Sequence, residues 1–156
     1  MTAFSRHVAR TYSHLFSFAP EAIFPLLCPT REYDWIPHWS CELVHSVSGF
    51  AERDCVFVTR FPTQGREVWL QTRHEPNRAV EFARIGAERT MRYSIELLPA
   101  PGGAAMCVTQ RVTYIGDDVE ARRAADDRLF TEEMPKMMEL IEDYLTTGAI
   151  HGGKQD

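Results

Sequence analysis

Between Cys41 and Ile115 the chain reads as six short runs in which apolar and polar residues alternate: CELVHSV, CVFVTRF, EVWLQTRH, AVEFARI, TMRYSIELL and AMCVTQRVTYI. Alternation with period two is the signature of a strand with one dry and one wet face. The dividers are Ser48-Gly49 to Asp54, Pro62 to Gly65, Glu75-Pro76-Asn77, Gly86-Ala87 and Pro99 to Gly103. They are rich in turn formers and short enough for antiparallel hairpins, so the pattern predicts a meander. In Thr90 to Leu97 the separation is cleanest. Met91, Tyr93, Ile95 and Leu97 share one face, and Thr90, Arg92, Ser94 and Glu96 share the other.

The flanks complete the architecture. Val8, Arg10, Tyr12, His14, Phe16 and Phe18 alternate with Ala9, Thr11, Ser13, Leu15 and Ser17, which predicts a long first strand ending at Ala19-Pro20. Pro20 to Leu27 reads as a short helix, with proline in its first turn and a bend or break at Pro25. Pro29 and Pro37 bracket a second short helix, with Thr30 as its N-cap and Tyr33, Ile36 and Trp35 turned toward a core. Beyond Gly116, Phe130, Met134, Met137, Ile141, Tyr144 and Leu145 step by three and four, giving a helix over Asp117 to Thr147 that Gly148 ends. Pro135 predicts a kink, or a separate helix beginning near Thr131. Residues 1–150 are thus expected as one domain and 151–156, HGGKQD, as a disordered tail.

The result is an α+β expectation: a seven-stranded antiparallel sheet whose dry face is covered by a helix of roughly 45 Å at about 1.5 Å per residue. Twist curves such a sheet strongly, so one helix cannot fill the concave side and a cavity is the geometric consequence.

Charge and motifs narrow the function. Lysines and arginines total 17 against 22 acids, a net charge of −5, and the basic residues are scattered, so no nucleic-acid partner is expected. The first residues hold no apolar core of signal-peptide length, and no apolar run approaches the ~18 residues of a membrane span, which favours a cytoplasmic protein without membrane insertion. Cys28, Cys41, Cys55 and Cys107 form no CxxC pair and read as reduced thiols. No GxGxxG, GxxxxGK[ST], HExxH or GxSxG string is present, so no cofactor is expected.

The segment from Phe24 to Trp39, FPLLCPTREYDWIPHW, resembles a string of a largely uncharacterised bacterial branch of the START-domain and birch-pollen-allergen superfamily, its polyketide cyclase/dehydrase and lipid-transport-like members. His38 stands where that branch has glycine. Cys55 to Thr59, Trp69, and Tyr144-Leu145 with Gly148 add weaker echoes. The resemblance implies the helix-grip fold, with two short helices after the first strand and a curved sheet around the long C-terminal helix. It implies no particular chemistry, because carriers, receptors, cyclases and regulators share that scaffold.

Candidate site residues follow from facing. Tyr12 and His14 share a face of the first strand, and His14 on a concave face is a candidate acid or base. Asp34, held against Trp35, is a second catalytic candidate, although Arg31, Glu32 and Asp34 are expected to stay wet or pair locally while Tyr33 and Trp35 pack. Trp69, Gln71 and Arg73 share a face, and an inward Arg73 would anchor an anion. Gln110 lies on the apolar face of Met106, Val108, Val112 and Tyr114 and could orient a ligand. Met134 and Met137 offer an adaptable wall. His38, Cys41 and His45 imitate a metal string, yet on a strand Cys41 and His45 lie about 13 Å apart at ~3.3 Å per residue, too far for one zinc, so no metal is expected. The leading reading is a binder of a hydrophobic small molecule such as a lipid, isoprenoid or aromatic polyketide, with Tyr12, Trp35, Trp69, Arg73, Tyr93, Gln110, Met134 and Met137 as contacts. Alternatives are a cyclase or dehydratase moving protons with His14, Asp34 or Tyr93, and a protein-interaction module; a homodimer remains open.

Overall fold

The computed structural model describes residues 5–150; the tail expected at 151–156 lies outside them. Each alternating run became a strand: β1 His7–Phe16, β2 Glu42–His45, β3 Val56–Phe61, β4 Gly65–Glu75, β5 Ala79–Gly86, β6 Arg89–Ala100 and β7 Gly103–Tyr114. They form a single seven-stranded antiparallel sheet in the order β1-β7-β6-β5-β4-β3-β2. The meander therefore runs from β2 to β7, and β1 closes onto its far edge, His7 opposite Thr113 and Phe16 opposite Ala104.

The inward face is continuous across the register. Phe57 on β3 faces Trp69 on β4, Trp69 faces Arg84 on β5, Arg84 faces Met91 on β6, and Met91 faces Val112 on β7. As expected, Met91, Tyr93, Ile95 and Leu97 are buried, whereas Arg92 and Glu96 are exposed.

One departure matters for the site. Between Gln71 and Arg73 the β4–β5 register shifts, leaving Thr72 as an extra residue. Trp69 and Gln71 keep the inward face, but beyond the bulge it is His74, opposite buried Val80, that turns inward and meets the ring of Phe24. Arg73 is carried outward. This corrects the alternation that placed Trp69, Gln71 and Arg73 on one face, because a bulge exchanges the faces of everything after it.

The short helices behave as their prolines require. α1 is Pro20–Ile23 and passes into a 3-10 turn at Phe24–Leu26, where Pro25 lacks the N–H an α-helix needs. A second 3-10 turn covers Glu32–Asp34, its N-cap Arg31 rather than Thr30, whose hydroxyl instead meets Cys28 Sγ at 3.2 Å. α2, Val119–Thr147, runs through Pro135 as one helix, so no separate helix begins at Thr131; that hydroxyl bonds back to the Asp127 carbonyl at 2.9 Å. Gly148, at φ 72°, accepts the left-handed conformation and donates its N–H to Tyr144 O at 2.7 Å.

Burial along α2 is uneven. Met134, Met138 and Ile141 are buried in its C-terminal half. The N-terminal half is tied down by charge: Arg10 to Asp127, Arg89 to Asp126 and Arg122 to Glu88.

Candidate functional site

α2 does not fill the concave face, and a cavity of about 810 Å³ remains between it, the strands and the Glu32–Trp39 segment. Its sheet wall is Phe61, Trp69, Phe82, Met91, Tyr93, Ile95 and Gln110, and its helix wall includes Phe130, Met134, Met137 and Leu140. Trp35 and Trp39 close one side. Trp35 is fully buried, its indole N–H donating to Leu26 O at 2.9 Å; Trp39 donates to Pro29 O at 2.8 Å, so both rings are pinned by the preceding turn. Aromatic packing continues the wall: Phe57 stacks on Trp69 with centroids 5.0 Å apart, and Trp39 meets Trp69 edge-on at 6.4 Å. The exposed members of the lining, His38, Pro62, Thr63, Glu133, Lys136 and Glu139, form the rim.

An ion network crosses the floor. Glu67 has no solvent exposure and is gripped from both sides, by Arg84 Nη2 at 2.6 Å and Arg89 Nε at 3.0 Å. Arg89 continues to Asp126 on α2 at 2.9 Å, Tyr114 donates to the same carboxylate at 2.6 Å, and Arg10 reaches Tyr114 Oη at 3.2 Å and Asp127 at 2.6 Å. Burial would push the Glu67 carboxyl up, but Arg84 and Arg89 outweigh it and hold it below the usual range. Burial lowers the Arg84 guanidinium, against the pull of Glu67. Arg84 also lies 3.9 Å above the Trp69 ring centre. The network joins β1, β4, β5, β6, β7 and α2, and two arginines against Glu67 and Asp126 leave its core neutral.

Three polar groups in the cavity lack strong partners among the described residues. The Glu32 carboxyl has no hydrogen bond or ion pair, and burial pushes it up to about 8 against the opposing charge of Arg84. The Tyr93 hydroxyl meets only the Met137 thioether, at 3.9 Å, and burial pushes it up to about 12. Gln110, directly across the ladder from Tyr93, has no side-chain partner. An apolar chamber with a few converging polar groups is the usual form of a small-molecule site.

Of the residues singled out from sequence, the fold gathers Trp35, Trp69, Tyr93, Gln110, Met134 and Met137 around this cavity. The others lie outside its lining. Tyr12 packs partly buried against the core, and Arg73 sits outside in ion pairs with Glu75 and, at 3.8 Å, Glu96. His14 is bound to Glu142 at 2.6 Å and edges onto Phe16. Asp34 pairs locally with Arg31 at 3.0 Å, as expected of the surface helix, whereas Glu32 is half-buried in the cavity lining and unpaired, and Tyr33 does not pack: it is 48% exposed, its hydroxyl bonded to the Cys41 backbone. Sequence reasoning missed Glu32, Arg84 and the Glu67 network. The available signal was opposite charges on the inward parity of consecutive strands: Glu67 with Trp69, Arg84 with Phe82, Arg89 with Met91, Arg10 with Tyr12.

No protein-family model matches the chain, and no curated protein sequence matches it significantly. Solved structures do. Ara h 8.0201 superposes with TM-score 0.65 at 14% identity, over 90% of this chain and 99% of that one. The Aha1 dimer from Colwellia psychrerythraea gives 0.60 at 16%, over 90% and 98%. DynU16, a protein in the dynemicin biosynthetic locus, gives 0.61 at 12%, over 90% of this chain and 48% of that one. At these identities the likeness is one of fold alone, the helix-grip arrangement of a curved antiparallel sheet around a long C-terminal helix. Among the described residues no helix is long and apolar enough to cross a membrane.

Proposed function

We propose that this helix-grip chain binds a hydrophobic small molecule with an aromatic or polycyclic body inside the cavity between sheet and α2. The observation that carries this is a volume of about 810 Å³ walled by tryptophan, phenylalanine and methionine and supplied with few uncommitted polar groups. That is the size range of drug-sized ligands, about 300–1,000 Å³. Trp69, Trp35, Met134 and Met137 supply apolar contact, and Tyr93 and Gln110 orient the ligand by hydrogen bonding. The fold shared with a protein from the dynemicin biosynthetic locus supports an aromatic, polyketide-like ligand class. Native mass spectrometry of freshly purified protein is the test. A released species of a few hundred daltons is expected, and protein that stays empty and fails to take up any apolar probe overturns the reading.

A second reading is favoured by Glu32 and Tyr93, ionisable groups left without strong partners inside an apolar chamber. Such groups suit proton transfer to or from a bound ketone or enol. Turnover that Glu32→Gln abolishes while ligand affinity survives would establish it.

A further inference from the structure

We infer that the cavity is built for an amphipathic amine, an apolar body carrying a protonated nitrogen that pairs with the Glu32 carboxylate. This deepens the binding reading above and rests on it. Three observations converge on the charge.

First, Glu32 is a half-buried acid at the aromatic end of the chamber that makes no hydrogen bond or ion pair among the described residues. The other internal charges are spent on each other: Glu67 on Arg84 and Arg89, and Asp126 on Arg89 and Tyr114. An anionic ligand would find Arg84 with its Nε and Nη2 both given to Glu67, and Nη1 against the Met91 thioether at 3.9 Å. A cation supplies the partner that a carboxylate in apolar surroundings lacks.

Second, the walls around it are aromatic faces. Trp39, Trp69, Phe61 and Tyr93 line the same space, and ring faces attract cations. Arg84 already exploits the Trp69 ring in this way.

Third, the entrance is acidic. Glu133, Glu139 and Asp143 line the helix side of the mouth against Lys136, so the approach favours cations and disfavours anions.

Three naphthalene probes of matched body separate the charges: naphthylethylamine, naphthylethanol and naphthylacetate, titrated at pH 7 with the fluorescence of the lining tryptophans as readout. The amine is expected to bind about tenfold or more tightly than the alcohol, and the acid most weakly. Glu32→Gln should bring amine and alcohol within about twofold of each other.

The wild-type protein offers a second measurement that needs no variant. Groups facing Glu32 are Arg84 from β5, Tyr93 from β6, Cys41 before β2, His38 on its own segment, and Glu133, Lys136, Glu139 and Asp143 from α2. Amine binding ionises Glu32, so calorimetry in two buffers of different ionisation heat should show net proton release, absent in Glu32→Gln. Alcohol or acid binding as tightly as the amine, or an amine preference that survives Glu32→Gln, overturns the inference and leaves the binder reading standing. Failure of all three probes to bind overturns both.

Discussion

The Arg84 guanidinium lies over the Trp69 ring, 3.9 Å from its centre, while its Nε and Nη2 are held by Glu67 from the neighbouring strand. One arginine thus connects the ion network of the floor to the aromatic wall of the cavity. Removing Glu67 leaves the buried Arg84 guanidinium without its carboxylate and Arg89 held by Asp126 alone. Glu67→Ala is expected to cost about 3–5 kcal/mol. Urea denaturation followed by far-ultraviolet dichroism measures it, and a loss under about 1 kcal/mol would show that water replaces the carboxylate.

Trp35 combines full burial with a single hydrogen bond to Leu26 O. Trp35→Ala should destabilise by about 3–5 kcal/mol through the void it opens. Trp35→Phe should lose less, about 1–3 kcal/mol, mostly from the carbonyl left unpaired. Equal losses for the two variants would refute that division.

Tyr93 and Gln110 face each other across the β6–β7 ladder with polar ends directed at the cavity wall rather than at protein partners. Gln110→Leu should therefore leave the melting temperature unchanged or raised, because no hydrogen bond within the protein is lost. Tyr93→Ala should weaken binding of an apolar fluorescent probe severalfold, and Arg92→Ala, on the wet face, should leave it unchanged.

Glu32 makes stability depend on pH in an unusual direction for a carboxyl. Its folded value, near 8, lies above the ordinary 4.5, so between these values the native state binds the proton that the unfolded chain has released. Stability is then greatest below about 4.5 and declines as pH rises to about 8, by an amount on the order of a few kcal/mol before other groups contribute. Glu32→Gln should flatten this slope and be more stable than wild type above pH 8. Parallel pH profiles for the two proteins would contradict the assignment.

Glu52 behaves oppositely. Its half-buried carboxylate accepts from Ser48 Oγ at 2.5 Å, from the Ser48 and Val47 N–H groups and from Ser46, which holds it down to about 2. Order in the 46–52 loop is expected to be full above pH 4.5 and to fade as the pH falls toward 2. Glu52→Gln should speed proteolytic cleavage within that loop at neutral pH, with the global melting temperature little changed.

What the sequence disclosed and what it withheld divide along range. The seven strands and the long helix follow from local alternation and helical spacing, and Pro20 and Pro25 left their marks within a residue or two, whereas α2 continued through Pro135. Trp69, Tyr93 and Gln110 could each be given a face of its own strand, and Met134 a place on the helical stripe, because alternation and helical spacing are local properties. Glu67 meeting Arg84 and Arg89 is a matter of register between strands, which no single run encodes. The same limit explains Glu32: on a short charged turn it looks like a solvent-facing acid, and only the packing of α2 and the sheet around that turn encloses it. Arg73 failed for a smaller reason, one unpaired residue in β4.

That residue acts as a parity switch. Side chains in a strand can occupy only two sides, so the extra residue lets Gln71 and His74, three positions apart, both face inward; in a regular ladder that kept Thr72, Arg73 would follow Gln71 inward. Arg73 would then press its charge against Phe24 in place of His74, and His74 would pass to water. The electrostatic character of this end of the interior thus rests on the bulge as much as on the identity of the residues, and deleting Thr72 would keep Arg73 outside and His74 inside in a regular ladder.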